Sequence, residues 1–216
     1  AVDIGTTTVA YALCDLKSGA VLEKCAELNR QASFGADVIS RIMSAEEGNA
    51  DLLAAAVRGQ IEETILRLKE NHSIKELKKV AVCGNTTMLH LFCGEDVSGI
   101  GRYPFTPAFT EYRRLSGAQV GLSAAEVHIL PSVSAYVGAD IVAGAIAAGL
   151  DREEALLVDI GTNGEMLAHA HGKFVCTSTA AGPCFEGANI ECGTGGVAGA
   201  IDGVSLSGGK ISYTTI

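Results

Sequence analysis

Two short segments repeat a pattern in which an apolar strand ends in aspartate, glycine and small polar residues. The first is Val2-Asp3-Ile4-Gly5-Thr6-Thr7-Thr8, and the second is Val158-Asp159-Ile160-Gly161-Thr162-Asn163. A carboxylate fixed at a strand end can hold Mg²⁺ directly or through water. The glycine lets a phosphate approach backbone N–H groups, and threonine hydroxyls donate further hydrogen bonds. The pattern therefore predicts binding of a magnesium-bound phosphate at each segment.

The candidate site residues fall into three groups. Asp3 and Asp159 are expected to hold the metal and to take part in catalysis. The residues expected to contact the phosphates are Gly5, Thr6, Thr7, Thr8, Asn85, Gly161, Thr162, Asn163 and Gly164. Glu165 is a third catalytic candidate, close enough to orient water or Mg²⁺, although a surface charge or a hinge contact is equally compatible. Asn85 follows a strand and a glycine, where ligand contacts are common, but it also suits a helix N-cap.

Two familiar phosphate-binding patterns do not occur in this sequence. The P-loop pattern G-x-x-x-x-G-K-[ST] is absent, and no G-x-G-x-x-G opens a helix after a strand, which disfavours a dinucleotide site. Neither repeated segment contains Lys or Arg, and the nearest along the chain are Lys17 and Lys173. We therefore expect the metal and the backbone amides to neutralise the phosphate charge.

Composition excludes several classes of protein. Among 216 residues, 48% are hydrophobic and 19% charged, which is typical of a globular chain rather than a disordered one. The net charge of −9 argues against binding a nucleic-acid backbone. The longest weakly polar run, residues 136–150, is too short for a membrane span and contains Asp140. Seven cysteines, an odd number without a C-x-x-C pair, predict free thiols and a cytoplasmic location.

The elements that must position these residues alternate between strands and helices. Three strands joined by tight turns predict an antiparallel meander, and helices with apolar residues on one face follow. The predicted strands are residues 2–4, 9–14, 20–28, 79–83 and 129–130, and the predicted helices are residues 36–44, 50–69 (capped by Asn49), 86–92 and 138–149. Residues 94–121 are expected to be rich in loops. This order predicts an α/β fold with a mixed sheet.

The repeat predicts a duplicated unit. Asp159 follows Asp3 by 156 residues, and each copy precedes further strand-like segments, at residues 165–170 and 173–179 in the second. An internal repeat of this kind indicates how the core is built. The chain opens and closes inside strand-like runs, so we expect a fragment of a longer protein.

The two segments resemble the first and second phosphate loops of the actin, sugar-kinase and heat-shock-chaperone ATPase superfamily. The small-residue run Ala143-Gly144-Ala145-Ile146-Ala147-Ala148-Gly149 is similar to the helix that connects the two lobes in that superfamily. Three strings more narrowly resemble the ATP-dependent reductive activators of corrinoid proteins: Cys83-Gly84-Asn85-Thr86-Thr87-Met88, Gly161-Thr162-Asn163-Gly164-Glu165 and Ala181-Gly182-Pro183-Cys184-Phe185-Glu186-Gly187. The resemblance extends over essentially the whole chain.

The resemblance implies duplicated ribonuclease-H-like lobes of the actin-like ATPase type, each a mixed sheet flanked by helices. Residues 1–150 would form the first lobe, a middle domain, and residues 151–216 the beginning of a truncated second lobe. ATP and Mg²⁺ are the implied cofactors. A [2Fe–2S] cluster is expected in the full-length parent and not in this fragment, because its C-x₄-C-x₂-C pattern is absent here.

The implied function is ATP binding and hydrolysis in a reductive activator that drives electron transfer to the cobalt of a corrinoid protein. The fragment alone is expected to be weakly active or inactive. The expected partners are a nucleotide and a corrinoid protein, without nucleic acid or membrane, and a homodimer stays open. Two alternatives also stay open: a small-molecule kinase of the same superfamily, and a non-catalytic actin-like module whose interactions depend on nucleotide.

Overall fold

Strands and helices alternate along the chain in a computed structural model that describes residues 1–161, 163–182, 191–194 and 199–216. The strands are β1 (Val2–Ile4), β2 (Thr8–Cys14), β3 (Val21–Leu28), β4 (Leu77–Gly84), β5 (Arg113–Ser116), β6 (Ala124–Ile129), β7 (Ala155–Ile160), β8 (Gly164–Ala170), β9 (Lys173–Thr179), β10 (Ile201–Ser207) and β11 (Lys210–Thr215). The helices are α1 (Val38–Ser44), α2 (Ala50–Asn71), α3 (Thr86–Cys93), α4 (Ser98–Gly101) and α5 (Ala139–Ala148). None of the helices in the described ranges is long and apolar enough to cross a membrane.

The first sheet is mixed and has the strand order β3-β2-β1-β4-β6-β5. Strands β1, β2 and β3 form the predicted antiparallel meander, whereas β1, β4 and β6 run parallel. Ile4 and Gly84, the last residues of β1 and β4, are register partners. The turns that follow these two strands therefore begin at the same edge of the sheet.

The helix α2 covers this sheet with the face that its sequence predicts. Leu53, Val57, Ile61, Ile65 and Leu68 recur at helical spacing; all five are buried, and the first four belong to the main hydrophobic core. Burying a side chain of this size stabilises the fold by roughly 1.5–3 kcal/mol relative to leaving it in water. The core thereby fixes the sheet whose edge carries the candidate site.

His90 lies in the same core with both ring nitrogens engaged. It is 0% exposed, and its ring stacks on Phe109 at 4.3 Å between centroids. Nε2 accepts the backbone N–H of Phe109 at 3.2 Å, so Nδ1 must carry the proton that is donated to the Thr86 carbonyl oxygen at 2.7 Å. The packing thus selects the neutral Nδ1–H tautomer.

A second antiparallel meander, β7-β8-β9, forms a separate sheet. It packs against α5 through a small apolar cluster that includes Ile141 and Leu167. In this meander Ile160 pairs with Gly164, whereas in the first Ile4 pairs with Val9. The turn after β7 therefore contains one residue fewer than the turn after β1.

The structure corrects several details of the sequence-based elements, and the short strand expected at residues 129–130 is the end of the longer β6 (Ala124–Ile129). Asn49 does not cap α2; its side-chain amide instead donates to the Ser44 hydroxyl. Helix α1 begins two residues later than expected, because Asp37 forms a capping box with Ser40. The loop-rich stretch contains β5, an edge strand whose Arg-Arg-Leu-Ser sequence lacks apolar alternation.

Candidate functional site

Asp3 and Asp159 each occupy the penultimate position of a strand, one in each meander. Asp3 lies in β1 beside Cys83 of the parallel strand β4, and Asp159 lies in β7. Partial desolvation raises the pKa of Asp3, and the negative charge of Asp159 raises it further, whereas a hydrogen bond with Cys83 opposes the shift. The two predicted carboxylates are thus within electrostatic range of each other, although they are 156 residues apart in sequence.

Asp140 is a third carboxylate at this place, and sequence reasoning missed it. It lies in the first turn of α5, where its Oδ1 accepts the backbone N–H of Ile141 at 2.8 Å. Burial raises the pKa of Asp140 to about 6, and the negative charges of Asp3 and Asp159 add to the shift. The one available signal was an acidic residue inside the apolar run 136–150.

Asp140 reaches the site because α5 begins very close to the turn between β4 and α3. A Cβ on Gly138 would lie 2.5 Å from the Asn85 Cα and 2.6 Å from the Gly84 carbonyl oxygen. Atoms do not approach that closely, so only glycine permits this contact. The helix then presents its first turn to the strand ends.

Glu165 completes a group of four carboxylates. It is 9% exposed and lies opposite Asp159 in the β7–β8 pair. Burial raises the pKa of Glu165 to about 7, with further contributions from Asp140 and Asp159. Hydrogen bonding from Ser178 and Asn163 opposes the shift. A carboxyl group with this pKa can exchange a proton near neutral pH.

The first turn is closed by its own backbone and contacted by Asn85. The Gly5 N–H donates to the Thr8 carbonyl oxygen at 3.0 Å, and the side chains of Thr7 and Thr8 are exposed. The Asn85 amide donates to the Thr6 hydroxyl at 3.0 Å, while its Oδ1 accepts the Met88 N–H as the N-cap of α3. The interpretation of Asn85 as a helix N-cap is therefore confirmed, whereas its contact with a ligand stays a prediction.

The second turn is described at Gly161 and Asn163. The Gly161 N–H donates to the Asn163 carbonyl oxygen at 3.0 Å, and Gly164 opens β8. Thr162 lies outside the described residues, and so do residues 183–187 of the third string that carried the resemblance.

A cavity of about 370 Å³ lies beside the second meander and is lined by residues from both parts of the chain. The first lobe contributes residues of α1, the β4–α3 turn and the loop before α5, and the second contributes β8, β9 and the residues beside them. The lining includes Val38, Ile39, Asn85, Tyr136, Asn163 and Glu165. Three predicted site residues, Asn85, Asn163 and Glu165, therefore line one space, whereas Asp3 and Asp159 are not among its lining residues.

The donor set at the strand ends consists of carboxylate oxygens, which are ligands of the kind that Mg²⁺ takes. Among the residues described by the structure, no three His, Cys, Asp or Glu side chains form a group that could enclose a metal ion. Mg²⁺ keeps several waters and is usually bound by one or two carboxylates together with substrate phosphates. Asp3 and Asp159 offer oxygen ligands of this kind, and the crowding of negative charge around them favours a cation.

The structure also places a cation beside the first turn, which the sequence analysis did not anticipate. Arg41 of α1 is 0% exposed, and its Nη2 donates to the Thr6 carbonyl oxygen at 2.6 Å. The expectation that metal and amides balance the phosphate charge stays a prediction, and it did not include this cation. The atom that Arg41 contacts belongs to a residue 35 positions away in sequence and is a backbone oxygen, so no pattern of residue types indicates the contact.

Comparison with known proteins agrees with this geometry. Residues 1–153 match the family model described as the RACo middle region, and residues 153–216 match the model of the C-terminal domain of RACo, the ASKHA domain. A solved structure of a reductive activator for a corrinoid, iron-sulfur protein superposes with a TM-score of 0.89 at 40% identity, covering 99% of this chain and 36% of that one. The predicted actin-like fold, a mixed sheet with flanking helices, is thereby confirmed.

Two curated relatives also resemble the chain along nearly its full length. The corrinoid activation enzyme RamQ of Eubacterium limosum is 37% identical over 223 aligned residues, which cover 100% of this chain and 38% of that protein. The [Co(II) methylated amine-specific corrinoid protein] reductase of Methanosarcina barkeri is 24% identical, covering 96% of this chain and 41% of that protein. The chain spans less than half the length of each of these relatives. It belongs to the RACo family, through its middle region joined at residue 153 to the ASKHA domain.

Proposed function

We propose that the protein containing this chain binds Mg²⁺–ATP between the two meanders and couples ATP hydrolysis to reductive activation of a corrinoid protein. The observation that carries the proposal is the grouping of four carboxylates, those of Asp3, Asp140, Asp159 and Glu165, with Glu165 also lining a cavity together with Asn85. The relatives support the corrinoid partner, since they include a corrinoid activation enzyme and a Co(II) corrinoid protein reductase.

Each group of residues has a distinct part in this proposal. Asp3 and Asp159 hold the metal, which neutralises phosphate charge when it is bound. The amides and hydroxyls of residues 5–8 and 161–164 orient the phosphates, and Asn85 fixes the Thr6 hydroxyl. Glu165 and Asp140, with pKa values of about 7 and about 6, are positioned to accept a proton from an attacking water.

The reaction transfers one electron to Co(II), which becomes Co(I), while ATP is hydrolysed to ADP and phosphate. The [2Fe–2S] cluster expected in the full-length parent would supply that electron. Nucleotide binding can shift an unfavourable electron transfer only by its differential affinity for the two states of the protein. Closure of the two meanders around the nucleotide is the change that we propose for this coupling.

The test uses the full-length protein with a corrinoid protein from the same host. The conversion of Co(II) to Co(I) is followed by its visible absorption with a chemical reductant, with and without Mg²⁺–ATP. We expect the wild-type protein to reduce Co(II) only when ATP is present. We expect Asp159→Asn to give no reduction in response to ATP. A rate of Co(II) reduction that does not depend on ATP, with every corrinoid protein of the host, would refute the proposal. Phosphorylation of a small acceptor would favour a kinase instead.

A further inference from the structure

A buried polar layer contacts the first turn from the interior of the protein. Asn29, Gln31 and Arg41 are 1%, 0% and 0% exposed, and Thr6 is 7% exposed. Asn29 donates to the Gln31 side chain at 3.3 Å, and Gln31 donates to the Leu53 carbonyl oxygen at 3.0 Å. Burying a polar group costs free energy unless the group forms a hydrogen bond, so the hydrogen bonds of these side chains indicate their structural role.

This layer holds three successive carbonyl oxygens of the turn. The Asn29 side-chain amide donates to the Gly5 oxygen at 2.8 Å, Arg41 Nη2 donates to the Thr6 oxygen at 2.6 Å, and the Asn29 backbone N–H donates to the Thr7 oxygen at 2.8 Å. All three carbonyls therefore point towards the interior of the first lobe.

The orientation of the carbonyls also determines where the amides point. In a trans peptide the C=O and the following N–H point in opposite directions. The N–H groups of Thr6 and Thr7 are thus directed away from the buried layer, and within the described residues neither makes a hydrogen bond. Two adjacent free amides aimed outward are the arrangement that binds an anion.

The charge of Arg41 is not balanced by a carboxylate among the described residues. Its three hydrogen bonds go to the carbonyl oxygens of Gly35 and Thr6 and to the sulfur of Met88. Burial lowers the pKa of Arg41 to about 10, with Asp37 opposing the shift, so the guanidinium remains charged at neutral pH. A buried cation without an anionic partner is costly unless another charge compensates it.

We propose that Arg41 is a positioning residue for the first phosphate turn. Its guanidinium holds the Thr6 carbonyl inward, so that the N–H of Thr7 is presented to a nucleotide phosphate. The Thr6–Thr7 peptide then lies between the cation and the phosphate, and its dipole is polarised by both. This inference rests on the proposed nucleotide function and supplies the cation that neither repeated segment contains.

The test compares Arg41→Ala and Arg41→Lys in the full-length protein, with Arg58→Ala as the matched control. Arg58 also donates to a backbone carbonyl, that of Phe92 at 2.7 Å, but it lies away from the turn. Calorimetry measures the affinity for Mg²⁺–ATP and, separately, for adenosine, which has no phosphate. We expect Arg41→Ala to weaken ATP binding by about tenfold or more, as for the loss of a hydrogen bond to a charged group, and to leave adenosine binding unchanged.

Two readouts separate positioning from general stabilisation. Millimolar guanidinium ion should restore ATP affinity to Arg41→Ala, whereas ammonium ion should not, because only guanidinium has the planar fork of donors. Arg41→Lys, which keeps the charge, should fold, and its affinity for ATP should lie between those of the wild type and Arg41→Ala. Equal losses for ATP and adenosine without rescue, or unchanged ATP binding, would overturn the inference. A wild-type protein that binds no ATP would instead refute the proposed function and the inference with it.

Discussion

Glu165 lies directly opposite Asp159 across the antiparallel β7–β8 pair, so both side chains project from the same face of the sheet. Burial raises the pKa of Glu165, and the negative charges of Asp140 and Asp159 add to the shift. The raised pKa makes the stability of the fold depend on pH in a defined direction.

Glu165→Gln should remove this dependence. The pKa of Glu165 is raised from 4.5 to about 7, so the folded protein binds an additional proton between these values and loses stability as the pH rises through that window. At pH 8 the glutamine variant should be more stable than wild type by on the order of 1–3 kcal/mol. Urea unfolding at pH 5 and pH 8 measures this difference. The same change at the exposed Glu153 should have no such effect, and an identical pH profile for Glu165→Gln and wild type would contradict the prediction.

Asp3→Asn and Asp159→Asn should affect the metal rather than the fold. Asparagine keeps the size and one oxygen of the side chain but removes the charge that Mg²⁺ requires. We expect either change to weaken Mg²⁺–ATP binding by about tenfold or more in calorimetry of the full-length protein, with its unfolding transition retained. Asp151→Asn, at an exposed position near the start of β7, serves as the control. Wild-type affinity in both variants would place the nucleotide elsewhere.

Alanine at Gly5 and at Gly161 should give different results, although the two glycines are equivalent in the repeat. A Cβ on Gly5 would lie 2.6 Å from the Thr8 carbonyl oxygen, whereas a Cβ on Gly161 would meet only the Asn163 oxygen at 3.6 Å. Gly5→Ala should therefore destabilise the fold by about 1–3 kcal/mol, as overpacking does. Gly161→Ala should fold normally and weaken only phosphate binding. Thermal unfolding and calorimetry of both variants test this contrast, and equal stability of the two would contradict it.

His90 should make the fold sensitive to mild acid. Burial lowers the pKa of His90 below 6.5. The unfolded chain therefore binds a proton at a pH where the folded chain does not, and the free energy of unfolding falls as the pH drops below about 6.5. One such proton contributes at most about 1.4 kcal/mol per pH unit. In urea unfolding between pH 7.5 and pH 5.5, His90→Gln should gain stability relative to wild type as the pH falls, over and above the opposing contribution of Glu165 that both proteins share. The exposed His171→Gln should show the same slope as wild type. A slope unchanged in His90→Gln would assign the acid sensitivity to other groups.

The sequence predicted the parts of the site that recur in a local pattern. Asp3 and Asp159 were found because each follows the same apolar strand and precedes the same glycine. The helical face of α2 and the order of the first meander were predicted for the same reason, since both depend on residues close together in the chain.

Asp140 and Arg41 could not be found in this way. Asp140 reaches the site only because Gly138 allows α5 to approach the β4–α3 turn, a contact between distant parts of the chain. Arg41 acts on a backbone oxygen, which every residue has, so nothing in the sequence marks its partner. Both side chains depend on tertiary approach, which local periodicity does not encode.

The shorter turn after β7 has a consequence for the comparison of the two halves. Asp3 is paired with Ala10, whereas Asp159 is paired with Glu165, although equal spacing would bring Met166 to that position. Removing one residue from a turn moves every side chain of the next strand to the opposite face. A difference of one residue between the two turns is therefore enough to put a carboxylate opposite one aspartate and not the other. An alignment of the two halves must place its gap between residues 161 and 164.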